Sequence, residues 1–104
     1  MNEQEIKRVN EIFLFCSNLM KEKSEEYGDC WKECGLGVRG TFTELNAKYF
    51  RLKKLLWDNE ITEQTRERII DTLIDIINYC TLTLLLIEIK YNDPSPLDKK
   101  TEMK

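Results

Sequence analysis

The sequence predicts an all-α fold: a bundle of three main helices with a short glycine-rich connection and one long C-terminal helix, assembled as an oligomer. Three observations support this. Apolar residues recur at three- and four-residue spacing through 3–26, 41–57 and 63–91. No stretch alternates apolar and polar residues in the manner of a half-buried strand. At 104 residues the chain can fill one modest core and not two. Residues 1–91 therefore read as a single helical domain. Residues 92–104, with two prolines, several charges and little to bury, read as a flexible C-terminal tail.

The first helix, 3–26, places Ile6, Val9, Phe13, Cys16 and Met20 on one face, broadened by Ile12, Phe15 and Leu19. Gly28 is the expected break, and Asp29 is placed to cap a short helical turn in "DCWKEC". Next comes "GLGVRG", residues 35–40, which spells G-x-G-x-x-G. No strand precedes it and no βαβ unit surrounds it, so it is not a dinucleotide fingerprint. It remains a glycine-rich approach to a helix N-terminus, where free backbone N–H groups can meet an anion.

Thr41 and Glu44, in T-F-T-E, form the pattern of a capping box that opens the second helix. That helix is expected to run to about Trp57, burying Leu45, Tyr49, Leu52 and Leu56, with Trp57 in the core. "DNEIT" turns the chain, and Thr62 is placed to cap a third helix over 63–91. Its second half, "CTLTLLLIEI", is apolar nearly all round. One protomer this small can hardly cover such a helix, so a homo-oligomer is expected.

Charge and cysteine usage narrow the function classes. Lys and Arg number 16 against 19 Asp and Glu, a net charge of −3. A dedicated binder of nucleic-acid polymer would carry a basic surplus, whereas a small phosphorylated ligand needs only a local positive patch. There is no histidine, and a zinc site would need Cys16, Cys30, Cys34 and Cys80 all to converge. Cys16 and Cys80 fall in apolar helical patterns, so reduced thiols in a cytoplasmic protein are the simpler expectation. No basic-then-apolar leader opens the sequence. The apolar run 81–89 is too short to span a bilayer, and extending it back to 69 brings in Asp71, Asp75 and Asn78. No membrane partner is expected.

Those three side chains pose the functional question. In "DTLIDIINYC", residues 71–80, Asp71, Asp75 and Asn78 fall on one helical stripe, flanked by Ile69, Ile70, Leu73, Ile74, Ile76 and Ile77. Unpaired carboxylates cannot be buried cheaply, so the stripe must meet water, a cation, a metal or a ligand. The second helix offers a complementary line, Glu44, Lys48 and Arg51. In one reading Lys48 and Arg51 simply neutralise Asp71 and Asp75. In the other the carboxylates hold Mg²⁺ while Lys48 and Arg51 hold phosphate oxygens. A third acidic run, Glu22, Glu25 and Glu26, ends the first helix and reads mostly as a solvated face. Glu26 is singled out because the break at Gly28 could fold Tyr27 and Trp31 over a pocket, where their rings could stack on a base.

Three ordered motifs bring a family into view: Glu26-Tyr27-Gly28 with Trp31, Lys48 with Arg51-Leu52-Lys53, and Asp71-Thr72-Leu73 with Asp75 and Tyr79. Over roughly residues 20–90 the chain resembles the nucleotide modification associated domain 1 family, small all-helical proteins common in phages. That family is similar to the MazG-like all-α nucleotide pyrophosphohydrolases, which hold Mg²⁺ with Glu-x-x-Glu on one helix and Glu-x-x-Asp on another. Here Glu22-x-x-Glu25 is present, but Thr72 stands where the second motif needs an acid. The resemblance therefore implies a protein that binds a nucleotide or nucleotide-derived small molecule, in a pocket between the second and third helices. Tyr27, Trp31, Lys48, Arg51 and Asn78 would line it, with Glu26, Asp71 and Asp75 available for Mg²⁺. It further implies action in a host cytoplasm, sequestering or altering nucleotides or nucleotide signals. A Mg²⁺-dependent pyrophosphohydrolase and a ligand-free helical interaction protein are the alternatives.

Overall fold

The computed structural model describes residues 1–28 and 37–91. Within them the protein is all-α, with three helices: α1 (Glu3–Tyr27), α2 (Val38–Leu52) and α3 (Glu63–Tyr91). A single π-helical turn, Lys53–Trp57, joins directly onto α2. The expected helical turn at 29–34, Cys30, Cys34, Trp31 and the tail 92–104 lie outside the described residues.

α1 opens on a device the periodicity did not reveal. Asn2 and Glu5 form a capping box: the Asn2 side chain accepts from the Glu5 N–H at 2.8 Å, and the Glu5 carboxylate accepts from the Asn2 N–H at 3.0 Å. The helix ends where expected. Gly28 adopts φ 70° and ψ −158°, a region essentially closed to other residues, and its N–H donates to the Ser24 carbonyl at 2.8 Å.

The capping box expected at Thr41 and Glu44 does not form. Gly37, at φ 67°, takes the N-cap position four residues earlier, and among the described residues no side chain caps α2. Thr41 thus lies inside the first turns of α2, buried, with its hydroxyl 3.0 Å from the Val38 carbonyl. Across the interface the Thr83 hydroxyl stands 2.7 Å from Thr41 Oγ1 and 2.6 Å from the Tyr79 carbonyl. Each hydroxyl has one proton, so the three contacts share two donors and lock the helices locally. Lys48 faces Asp75 further along, so α2 and α3 run antiparallel.

This placement of Thr41 sets the buried face of α2. Leu45, Lys48, Leu52 and Leu55 continue its line at helical spacing and are half-buried. Tyr49, Leu56 and Trp57 do not join the core as expected; Trp57 is 82 % exposed. The cause is phase: Tyr49 falls one residue off the Thr41 line. The π turn, closed by the Asp58 N–H on the Lys53 carbonyl at 3.0 Å, then shifts Leu56 and Trp57 by about one more residue. α3 starts as expected, with the hydroxyls of Thr62 and Thr65 each accepting from the other residue's backbone N–H, at 3.2 and 2.9 Å.

Among the described residues, burial on α1 is concentrated in its second half. Cys16 is buried and Leu19, Met20 and Ser24 are half-buried, whereas Ile6, Ile12, Phe13, Leu14 and Phe15 are exposed. The fully buried apolar side chains among the described residues are Cys16, Ile69 and Leu86. For the described residues, 1–28 and 37–91, that is a thin core.

Candidate functional site

The second half of α1 and the middle of α3 leave between them a cleft of about 480 Å³. α1 contributes Ser17, Met20, Lys21, Lys23, Ser24 and Gly28; α3 contributes Asp75, Asn78, Tyr79, Leu82 and Leu85. On α3 these residues fall at helical spacing on one side, and the Thr41–Thr83 contact anchors another side to α2.

Asp75 is the electrostatic centre. Its Oδ2 lies 3.1 Å from Lys48 Nζ, reaching over from α2, and its Oδ1 lies 3.9 Å from Lys23 Nζ on α1. Three helices thus meet on one carboxylate. Asp75 and Lys48 are roughly a quarter exposed, at 28 % and 23 %, so the pair is neither free in water nor sealed from it. Tyr79, one turn further along α3, has its phenol pKa raised above 10.0. Burial is the main cause; the negative charges of Glu44 and Asp75 add to it, and the Lys48 ammonium opposes them.

The structure gathers some of the sequence-derived candidates and leaves others apart. Lys48, Asp75 and Asn78 come together, with Asn78 buried on the cleft wall. The cleft lies between α1 and α3, with α2 supplying only Lys48 at Asp75, and not between α2 and α3 as expected. Arg51, Asp71 and Glu26 are exposed, and none of them forms an ion pair among the described residues. The Tyr27 side chain, like Trp31, lies outside the described part. Sequence reasoning missed Lys21, Lys23, Ser17 and Ser24. The available signal was the small and polar stripe Ser17, Lys21, Ser24, Gly28, which recurs every three or four residues beside the apolar face of α1.

Among the described residues the donors do not by themselves assemble a site for a resident Mg²⁺. Among the described residues no three Cys, Asp or Glu side chains gather where they could hold a metal. Asp75 is already engaged by two lysines. The position three residues before it, Thr72, is 2 % exposed and turns its hydroxyl back to the Arg68 carbonyl at 2.7 Å.

Fold and site together define a small all-α protein with a lysine-rimmed, largely apolar cleft between helices. The chain belongs to the nucleotide modification associated domain 1 family, whose model matches residues 23–87, a span that takes in the C-terminal end of α1, all of α2 and nearly all of α3. No curated protein and no solved structure matches it.

Proposed function

We propose that the α1–α3 cleft binds a nucleotide or nucleotide-derived small molecule. The observation that carries this is the meeting of Lys23 and Lys48 on Asp75 at a cleft of about 480 Å³, within the usual size of small-molecule sites. A phosphate group can replace Asp75 as the partner of these ammonium groups, with Lys21 beside them. Leu82, Leu85 and Tyr79 supply apolar and aromatic surface for a base, and the Asn78 amide can both donate to it and accept from it. The family's association with nucleotide modification supports a nucleotide over other phosphorylated ligands. In this reading the protein is a phage-type sequestering agent, lowering or altering the host's nucleotides or nucleotide signals without turning them over.

A thermal-shift screen of nucleoside mono-, di- and triphosphates and cyclic nucleotides, with and without Mg²⁺, tests it, because a ligand that binds only the folded state raises its stability. A rise in midpoint that is lost in Lys23→Ala, with intact ligand recovered after heat denaturation, is the expected result. A rise that requires Mg²⁺ would restore Glu26, Asp71 and Asp75 as metal ligands. Release of monophosphate and pyrophosphate would make the protein a hydrolase. No shift with any nucleotide would leave a helical interaction protein whose lysines only neutralise Asp75.

A further inference from the structure

α3 has three sides, and two are accounted for. One meets α2 at Thr83, with Ile69 and Thr72 buried on the same line of the helix, and one faces α1 and the cleft through Asp75, Asn78 and Leu82. On the third side Ile70, Leu73, Ile77, Cys80, Leu84, Ile87 and Tyr91 succeed one another at steps of three, four, three, four, three and four residues. This is an unbroken a/d heptad register over three heptads, about 33 Å of helix. Ile77 is half-buried and Cys80 exposed; the other five are between 36 % and 67 % exposed.

The geometry points to this stripe as a coiled-coil seam that pairs with the same stripe of a second copy of the chain. A 3.5-residue repeat is what two helices need to keep one seam in contact along their length, and the α2 and cleft faces do not require it. The five exposed residues, at about half of a side chain of ~150–200 Å² each, offer on the order of 400–500 Å² of apolar surface. That is about half of the ~800 Å² that each partner contributes to a standard interface, before flanking contacts are added. The seam is self-complementary, so a two-fold dimer satisfies both copies at once. A lipid surface is the other apolar partner to consider, since α3 is long and apolar enough to cross a membrane by length and composition. Against it, Asp75 and Asn78 stand midway along the helix with Asp75 bound to Lys48, and Thr81 and Glu88 flank the seam.

Cys80 reports on the pairing. It sits at the midpoint of the stripe as a free thiol, so in-register parallel helices, or antiparallel ones related by a central two-fold, bring it opposite its own copy. The experiment is sedimentation of the full chain at tens of micromolar, mild oxidation with mass-spectrometric mapping of the linked peptides, and the same measurements on Leu84→Glu. The expected result is a dimer with a Cys80–Cys80 link, both lost in Leu84→Glu while its helical circular dichroism is retained. A wild-type monomer would overturn the seam, as would a folded Leu84→Glu that remains dimeric. Should Leu84→Glu fail to fold, the oxidation arm decides: a wild-type dimer without a Cys80–Cys80 link overturns the pairing of this stripe with its own copy about Cys80. Co-flotation with phosphatidylcholine vesicles in place of dimerisation would assign the seam to a membrane.

Discussion

Lys48 and Arg51 are near neighbours on one helix, yet their surroundings give them different weights. Lys48 holds Asp75 at 3.1 Å in a half-buried setting, while Arg51 is exposed. Lys48→Met should cost about 1–2 kcal/mol, between the values of exposed and buried pairs, with Lys23 limiting the loss. Arg51→Ala should fall within about 0.5 kcal/mol of wild type. Urea denaturation of both variants and of Asp75→Asn with Lys48→Met checks the ordering and isolates the pair energy. Tyr79 adds a pH dependence. Its pKa is raised on folding, so the folded chain holds the phenolic proton more tightly than the unfolded one. The stability this contributes is complete below pH 10 and lost as pH rises through the higher folded value. Ultraviolet difference titration of wild type against Tyr79→Phe should show the missing phenolate forming only above pH 10. Thr72 explains a departure from the hydrolase pattern in physical terms. An acid there would be buried at a site now 2 % exposed, so Thr72→Glu should destabilise by about 3 kcal/mol or more and should not create a metal site. Thermal melts with and without Mg²⁺ measure both effects.

At the scale of elements, the ends of α3 and the break after α1 were legible because each rests on a local rule. Thr62 exchanges backbone hydrogen bonds with Thr65, so Thr62→Ala should lower stability by about 1 kcal/mol in chemical denaturation. Gly28 had to take a backbone conformation that other residues avoid. The start and facing of α2 were not legible, because two local signals competed. T-F-T-E reads as a cap, but Gly37 at positive φ lets the helix begin earlier, and burial of Thr41 against Thr83 then turns the whole face by one residue. That rotation makes Lys48 an inward residue and Tyr49 an outward one. The cleft, too, differs from the expectation. The stripe Asp71, Asp75, Asn78 was correct as a helical line, but only its last two members reach the cleft, and the facing wall comes from α1. Nothing in the spacing of α1 alone reveals which wall of α3 it will lean on.

The α2 contact, the lysine-rimmed cleft and the exposed apolar stripe lie on different sides of one long helix. Cleft residues Asn78 and Leu82 and seam residues Ile77 and Leu84 alternate along α3 but point about a third of a turn or more apart, given about 100° per residue. Assembly and ligand binding should therefore be separable, and that separation is measurable in one thermal experiment. If α3 pairs with a second copy, the wild-type midpoint should rise with protein concentration, because association stabilises the folded state by mass action. Leu84→Glu should abolish that dependence and melt at the low-concentration limit. The nucleotide found to shift the wild type should shift Leu84→Glu by a similar amount, since no cleft residue changes. In Lys23→Ala the pattern should reverse, with concentration dependence kept and the nucleotide shift lost. Loss of both responses in Leu84→Glu would mean that the second copy completes the cleft, so that binding depends on the dimer and the two sides of α3 act as one site.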